Sequence, residues 1–303
     1  MTTVARSWLY VPGHRPERVA KALTAGADAV VVDLEDAVPA AEKDRARDLT
    51  VTLLTERAAA AGAPGPAVWV RVNPAGTEPG RRDAAALAGL PADGLRVPRA
   101  EDPETVRQLA EETGKPLQLL LESARGLWRA HELASCHELV VGIALGEADL
   151  AADLLVDRDE GLTWARGAVV VAARAARLAS PVQSVFTDVA DAEGLRASCR
   201  AGRATGFFGR SVIHPRQIDV VHEEYTPSAE EIDRAEGIVR IAAEAAERGE
   251  VAALGPDGRF VDPAVVARAH VVLDRAVPDR SPTSPPAVPA TGQSTVRSAG
   301  DSA

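Results

Sequence analysis

Along the chain, short runs of apolar, often β-branched residues alternate with longer stretches in which Ala, Glu and Arg recur. Eight such runs stand out: SWLYVP from residue 7, AVVVDL from 29, AVWVRV from 67, GLRVP from 94, PLQLLLE from 116, ELVVGIALG from 138, SPVQSVF from 180 and ATGFFG from 204. Short apolar runs bounded by turn residues and charges read as strands buried on both faces. Between them the pattern predicts helices over 15–25, 40–61, 81–89, 102–113, 125–134, 161–179 and 188–201, with Asp102 as an N-cap and Pro103 in the first turn behind it. Eight β–α units in about 210 residues predict an α/β fold, a TIM (β/α)8 barrel, over residues 1–225. A doubly wound open sheet is the competing arrangement, but no G-x-G-x-x-G follows an early strand.

Past the eighth strand the pattern becomes helical. A short piece near PRQIDVVHEEY leads to a helix that opens at Pro227 or Ser228, then a turn in GPDGRFVDPAV and a last helix, together a C-terminal helical extension over 226–277. Residues 278–303 are rich in Pro, Ser and Thr with few large apolar side chains, so a disordered tail is expected there.

Composition narrows the function. With 46% hydrophobic and 26% charged residues in 303, the chain is an ordinary globular protein. A formal net charge of −10 disfavours nucleic acid and anionic membrane surfaces as partners, since either calls for a basic face. No apolar run approaches the ~18 residues of a membrane span, and no signal peptide opens the chain, so a cytoplasmic protein is expected. The two cysteines, Cys136 and Cys199, lack the spacing of a thiolate metal site or a disulfide framework.

In a barrel of this kind the active site lies at the C-terminal ends of the strands. There the sequence places Asp33, Glu35 and Asp36 after strand two, Arg71 and Asn73 at strand three, Glu122 after strand five, and Glu147 and Asp149 in GEADL after strand six. So many carboxylates at one mouth repel one another unless a cation compensates, and oxygen donors without His or Cys select Mg2+, with Mn2+ a second possibility. Glu122 and Asp149 are the expected metal ligands, with Glu35 and Asp36 holding metal-bound waters; the alternative for either ligand is to cap the helix that follows. Arg71 is the expected partner of a substrate carboxylate, unless it serves only as an ion pair within the acidic ring. A Schiff-base mechanism needs a lysine on a strand, and the three lysines, Lys21, Lys43 and Lys115, fall on helical regions or at the wrong end of a strand. The six histidines are scattered, and His214 in IHP reads as structural.

Taken together, RSWLYVPGHRPERVAKAL, DAVVVDLEDAVP followed by Lys43 and Arg47, VRVN, LLLESARGL, GEADLAADL and TGFFGRSVIHPRQIDVVHEEYTPSAEEIDRAEGIV resemble the citrate lyase β-subunit-like (CitE-like) branch of the HpcH/HpaI aldolase superfamily, over roughly residues 6 to 276. The resemblance implies a TIM barrel that assembles as a homotrimer or hexamer. It implies a Mg2+-dependent enzyme cleaving or forming a hydroxyacyl-CoA thioester, such as malyl-, citramalyl- or citryl-CoA, with an acyl-CoA and a 2-oxoacid as the small-molecule partners. By position it implies Arg71 for the oxoacid carboxylate, Glu122 and Asp149 for the metal, and Glu35 and Asp36 behind them. It also implies that Asp262 reaches a neighbouring subunit's site as acid or base, although Asp262 before Pro263 is equally suited to cap a helix. Three positions depart from the pattern: Ala148 in GEADL, a feature shared with HpcH-type aldolases; Arg99, where a lysine is usual; and Gln183, where an aspartate is usual. A 4-hydroxy-2-oxoacid aldolase without CoA and a non-catalytic subunit of a lyase complex are the alternative readings.

Overall fold

The computed structural model describes residues 5–59, 65–255 and 258–276. Residues 278–303, where a disordered tail is expected, lie outside the described residues. Seven parallel strands, β1 (Ser7–Pro12), β2 (Ala29–Asp33), β3 (Ala67–Arg71), β4 (Gly94–Val97), β5 (Leu117–Leu121), β6 (Val140–Leu145) and β7 (Arg210–Val212), hydrogen-bond in the order β6-β5-β4-β3-β2-β1-β7. Every residue of β2 and of β5 is buried, as the unbroken apolar runs require of strands covered on both faces.

The eighth position of the ring is filled without a regular strand. Residues 181–184 run extended beside β7, where Gln183 N donates to Gly209 O at 3.0 Å and Ser211 N to Gln183 O at 2.9 Å. On the other side, Ser184 Oγ donates to Leu145 O at 2.6 Å, so a side chain closes the barrel against β6 where a backbone ladder was predicted. The last strand is also shifted, to Arg210–Val212 and not 204–209, because Gly206 (φ 104°) and Gly209 (φ 78°) bend the backbone out of the extended region. At Gly209 a Cβ would stand 2.5 Å from Ala5 O, so only glycine permits that approach.

The helices are α1 (Pro16–Ala22), α2 (Lys43–Ala59), α3 (Glu78–Leu87), α4 (Pro103–Thr113), α5 (Ala124–Trp128), α6 (Ala130–Ala134), α7 (Glu147–Asp153), α8 (Thr163–Ala175), α9 (Ala192–Ala204), α10 (Ile218–Tyr225), α11 (Ala229–Glu247) and α12 (Pro263–Ala276). Asp102 caps α4, accepting from Thr105 N at 3.0 Å, and Ser228 with Glu231 forms a capping box on α11. The helix predicted over 125–134 is broken at Arg129 into α5 and α6, and α7, which opens directly from β6, went unpredicted.

Two apolar layers form the core. A large one lies between strands and helices, and a small one fills the barrel's interior, where Trp8 and Trp69 meet edge to face at 5.2 Å with Val31 and Val182. Beyond the barrel, α11 and α12 pack on each other beside a two-stranded hairpin, β8 (Ala253–Leu254) and β9 (Phe260–Val261). Arg275, near the end of α12, lies over the Phe208 ring at 4.4 Å and donates to Ser180 Oγ, at the barrel end opposite the mouth.

Candidate active site

Asp33 ends β2 beside its register partner Arg71 on β3, and that register produces a two-pronged ion pair. Arg71 Nε donates to Asp33 Oδ1 at 2.8 Å and Nη2 to Oδ2 at 2.6 Å. Asp33 also accepts from Glu35 N and Ala37 N, which turns the following loop back over the strand end. Arg71 Nη1 then lies 2.8 Å from Glu35 Oε2 and 3.5 Å from Asp36 Oδ2. The Glu35 contact is within ion-pair range but not aligned as a hydrogen bond, so that buried oxygen has no hydrogen-bond partner.

The loop is held from below by residues whose role the sequence did not reveal. Lys43 Nζ donates to Leu34 O at 2.8 Å, to Glu35 O at 2.7 Å and to Asn73 Oδ1 at 2.7 Å. Asn73 donates in turn to Asp83, which Arg47 grips at 2.8 Å. Asn73 therefore supports the loop of Glu35, although its place at a strand end suggested a site residue. The available signal was Lys43 itself, in a chain with only three lysines.

Glu122 follows β5 and is buried, its Oε2 accepting from Arg99 N at 2.9 Å. Ser123, not Glu122, caps α5. Asp149 lies in the first turn of α7, whose N-cap is Gly146, and among the described residues it forms no hydrogen bond or ion pair. Neither acid therefore has the capping role that was the alternative for it. Both line a cavity of about 660 Å³ at the strand ends, together with Tyr10, Asp36, Arg71 and Arg96. Arg166 holds two further acids of the cavity, Glu147 at 2.6 Å and Asp159 at 2.6 Å, so Glu147 is already paired.

Burial is the main cause that pushes Glu35 up to about 8 and Glu122 up to about 7. The neighbouring carboxylates add to it: Asp36 and Glu122 act on Glu35, and Asp149 and Asp36 act on Glu122. Arg71 opposes both shifts without cancelling them. No group of three or more Asp, Glu, His or Cys among the described residues forms a ready-made metal cage. What is present fits a hydrated divalent ion instead: two hard carboxylates on adjacent strand ends, one of them without a protein partner, in a mouth short of positive charge.

The remaining predicted residues fall elsewhere. Asp262 caps α12, accepting from Val265 N at 2.9 Å; it is exposed and is not among the residues lining this chain's own cavity. Gln183 faces the helices, bonded to the Tyr225 hydroxyl and to Arg210 Nε at 3.3 Å, so its departure from aspartate lies outside the mouth. Arg99 is exposed and meets Glu122 only through its backbone, whereas Ala148 is a cavity residue. His214 accepts from Arg216 N at 3.2 Å and caps a short 3-10 turn, the structural role expected of it. Cys136 and Cys199 are unpaired.

The fold and site define a parallel β/α barrel with a largely acidic mouth at its strand ends, and comparison with known proteins places it. Residues 6–215 match the family described as HpcH/HpaI aldolase/citrate lyase, and the chain belongs to that family, in its citrate lyase β-subunit-like branch. It is 33% identical over 286 residues to the citrate lyase subunit beta of Leuconostoc mesenteroides subsp. cremoris, spanning 89% of this chain and 93% of that one. It is 37% identical over 278 residues to a (3S)-malyl-CoA thioesterase of Cereibacter sphaeroides, spanning 89% and 94%. The crystal structure of CitE from Mycobacterium tuberculosis with magnesium, acetoacetate and coenzyme A superposes with a TM-score of 0.74 at 34% identity, covering 90% of this chain and 98% of that one.

Proposed function

We propose that this chain is a Mg2+-dependent carbon–carbon lyase that cleaves or forms a hydroxyacyl-CoA thioester, with an acyl-CoA and a 2-oxoacid on the other side of the reaction. The observation that carries the reading is the pair Glu122 and Asp149, neither of them ion-paired among the described residues, lining one cavity with Arg71. The relatives named above act on citrate or a CoA thioester, and the Mycobacterium tuberculosis structure holds magnesium with coenzyme A.

Glu122 and Asp149 would hold the ion, and Glu35 and Asp36 would orient its waters. The bound ion supplies Lewis acidity toward the oxygen that becomes the ketone. Arg71, kept cationic by Asp33, faces the oxoacid carboxylate and fixes its plane. In the cleavage direction the substrate hydroxyl loses its proton as the bond between the carbinol carbon and the carbon next to the thioester breaks. The bonding pair passes to the thioester enolate, which takes up a proton to give the acyl-CoA, so protons balance over the cycle. Asp262 from a neighbouring copy serves as the proton carrier in this scheme, because it lies outside its own mouth.

Incubating the purified protein with acyl-CoAs, glyoxylate, pyruvate or oxaloacetate, and Mg2+ tests the proposal; the expected result is thioester-linked condensation or cleavage that EDTA abolishes and Mg2+ or Mn2+ restores. Ala148 in the cavity wall is the one observation that favours a CoA-free aldolase. Turnover of free 4-hydroxy-2-oxoacids with no activity on any thioester would establish that reading instead.

A further inference from the structure

The reaction proposed above gives Arg96 no task, yet its position is an unfavourable one for a cation. It stands in the middle of β4 with its side chain turned into the barrel, 1% exposed, its Cζ 5.2 Å from the Trp8 ring and 5.3 Å from the Tyr10 ring. Nη1 donates to Ser211 Oγ at 3.0 Å, and the buried Nε has no partner. Among the described residues no carboxylate lies within ion-pair distance of it. With only the neutral hydroxyls of Ser211 and Tyr10 as hydrogen-bond partners, this buried guanidinium has no counter-charge beside it, which is unfavourable. Arg71, its register partner on β3, is in the opposite condition, since Asp33, Glu35 and Asp36 already surround it.

Both guanidiniums line the same cavity, with Tyr10 and Ser211 beside them. Arg71 Cζ is 5.1 Å from the Tyr10 ring that Arg96 also faces, so one short dianion can meet both. We propose that Arg96, the Ser211 hydroxyl and the Tyr10 phenol form a second carboxylate subsite at the floor of the cavity, so that the 2-oxoacid half of the substrate is a dicarboxylate. The inference rests on the lyase reading and names the substrate class within it. A planar guanidinium takes a carboxylate through two parallel bonds, and the free Nε edge of Arg96 is the edge such a pair would use. Monocarboxylic oxoacids would leave Arg96 buried and unpaired, which is how a site rejects an analogue that lacks one polar group.

The test is calorimetric binding of oxaloacetate and of pyruvate to the full chain in saturating Mg2+, for the parent, Arg96→Met and Ser211→Ala. The parent should bind oxaloacetate at least tenfold more tightly than pyruvate. Arg96→Met should remove that preference while leaving pyruvate affinity within twofold, and its melting temperature should rise, because an unpaired buried charge has been replaced by an apolar side chain of similar volume. Ser211→Ala, a change small enough to fold if Arg96→Met does not, should reduce the preference severalfold. A preference that survives both substitutions, an equal loss for both oxoacids, or no preference in the parent overturns the subsite. The first of these, with a lowered melting temperature, would make Arg96 a structural group bridged by solvent to the unpartnered Oε1 of Gln118, its register partner on β5. Failure of both oxoacids to bind the parent would overturn the lyase reading together with the subsite.

Discussion

Glu122 is held where a carboxylate is poorly solvated, with one backbone N–H for relief and Asp149 close by. Its folded-state affinity for a proton exceeds that of the unfolded chain, and so does that of Glu35, raised to about 8. Between the ordinary carboxylate range and about pH 8 the folded state therefore holds more protons than the unfolded state, and these two groups make stability fall as pH rises. Glu122→Gln should flatten that slope in a melting-temperature series from pH 5 to 8 without Mg2+, and should cost metal binding in calorimetry. In the parent, Mg2+ affinity should climb through about pH 7 as Glu122 gives up its proton. Asp149→Ala should bind Mg2+ at least tenfold more weakly than the parent; equal affinity would remove it from the ligand set. Arg71→Lys keeps the charge and loses the two-pronged grip on Asp33, so kcat/KM should fall on the order of a hundredfold while the protein still folds.

Single residues act here through the elements that carry them. The loop after β2 depends on Lys43, whose ammonium meets two of the loop's carbonyls and Asn73. Lys43→Met leaves Asn73 Oδ1 without a donor, at about 1–3 kcal/mol for a buried group, and takes one of two donors from each carbonyl, since Leu34 O keeps Asn73 Nδ2 and Glu35 O keeps Val38 N. It should lower the melting temperature and speed amide exchange over 34–38, leaving exchange in β5 unchanged. The turn from β6 into α7 sets Glu122 from the other side: a Cβ at Gly146 would lie 2.3 Å from Glu122 Cγ. Gly146→Ala should therefore displace Glu122 and weaken Mg2+ binding, whereas Gly142→Ala, with its nearest contact at 3.4 Å, should not.

At the scale of the whole molecule, α12 is anchored by Arg275 at the barrel end opposite the mouth, and its N-cap Asp262 stands about 20 Å away along the helix axis. Asp262 does not line this chain's own cavity, so a catalytic role for it would be shared between copies. Deleting residues 255–303 should abolish turnover and reduce the sedimenting mass to that of a smaller assembly, and deleting only 281–303 should leave both unchanged. Asp262→Asn retains a competent helix cap, so its melting temperature should match the parent while kcat falls at least tenfold and Mg2+ affinity holds. A fully active monomer lacking the segment would rule out a shared site.

Much of this arrangement was legible before any coordinates. The apolar runs of β1 to β6, the caps at Asp102 and Ser228, and the acids and arginine at the strand ends are local features: burial on both faces, an N-cap or a strand terminus leaves its mark within a few residues. The seventh and eighth runs, SPVQSVF and ATGFFG, differ most from the structure, because they are told apart from regular strands only by what closes against them. Ser184 bonding to Leu145 and the glycine bends before Arg210 are both such contacts. Pairing was likewise invisible. The sequence could place Arg71 among acids, but that Asp33 takes both its prongs, that Lys43 and Asn73 brace the loop, that Gln183 turns to the helices and that Arg96 is buried without a carboxylate depend on which strands become neighbours. Periodicity along the chain reports which face of an element is dry. Only closure of the barrel determines which charges, tens of residues apart, come within 3 Å of one another and which one is left without a partner.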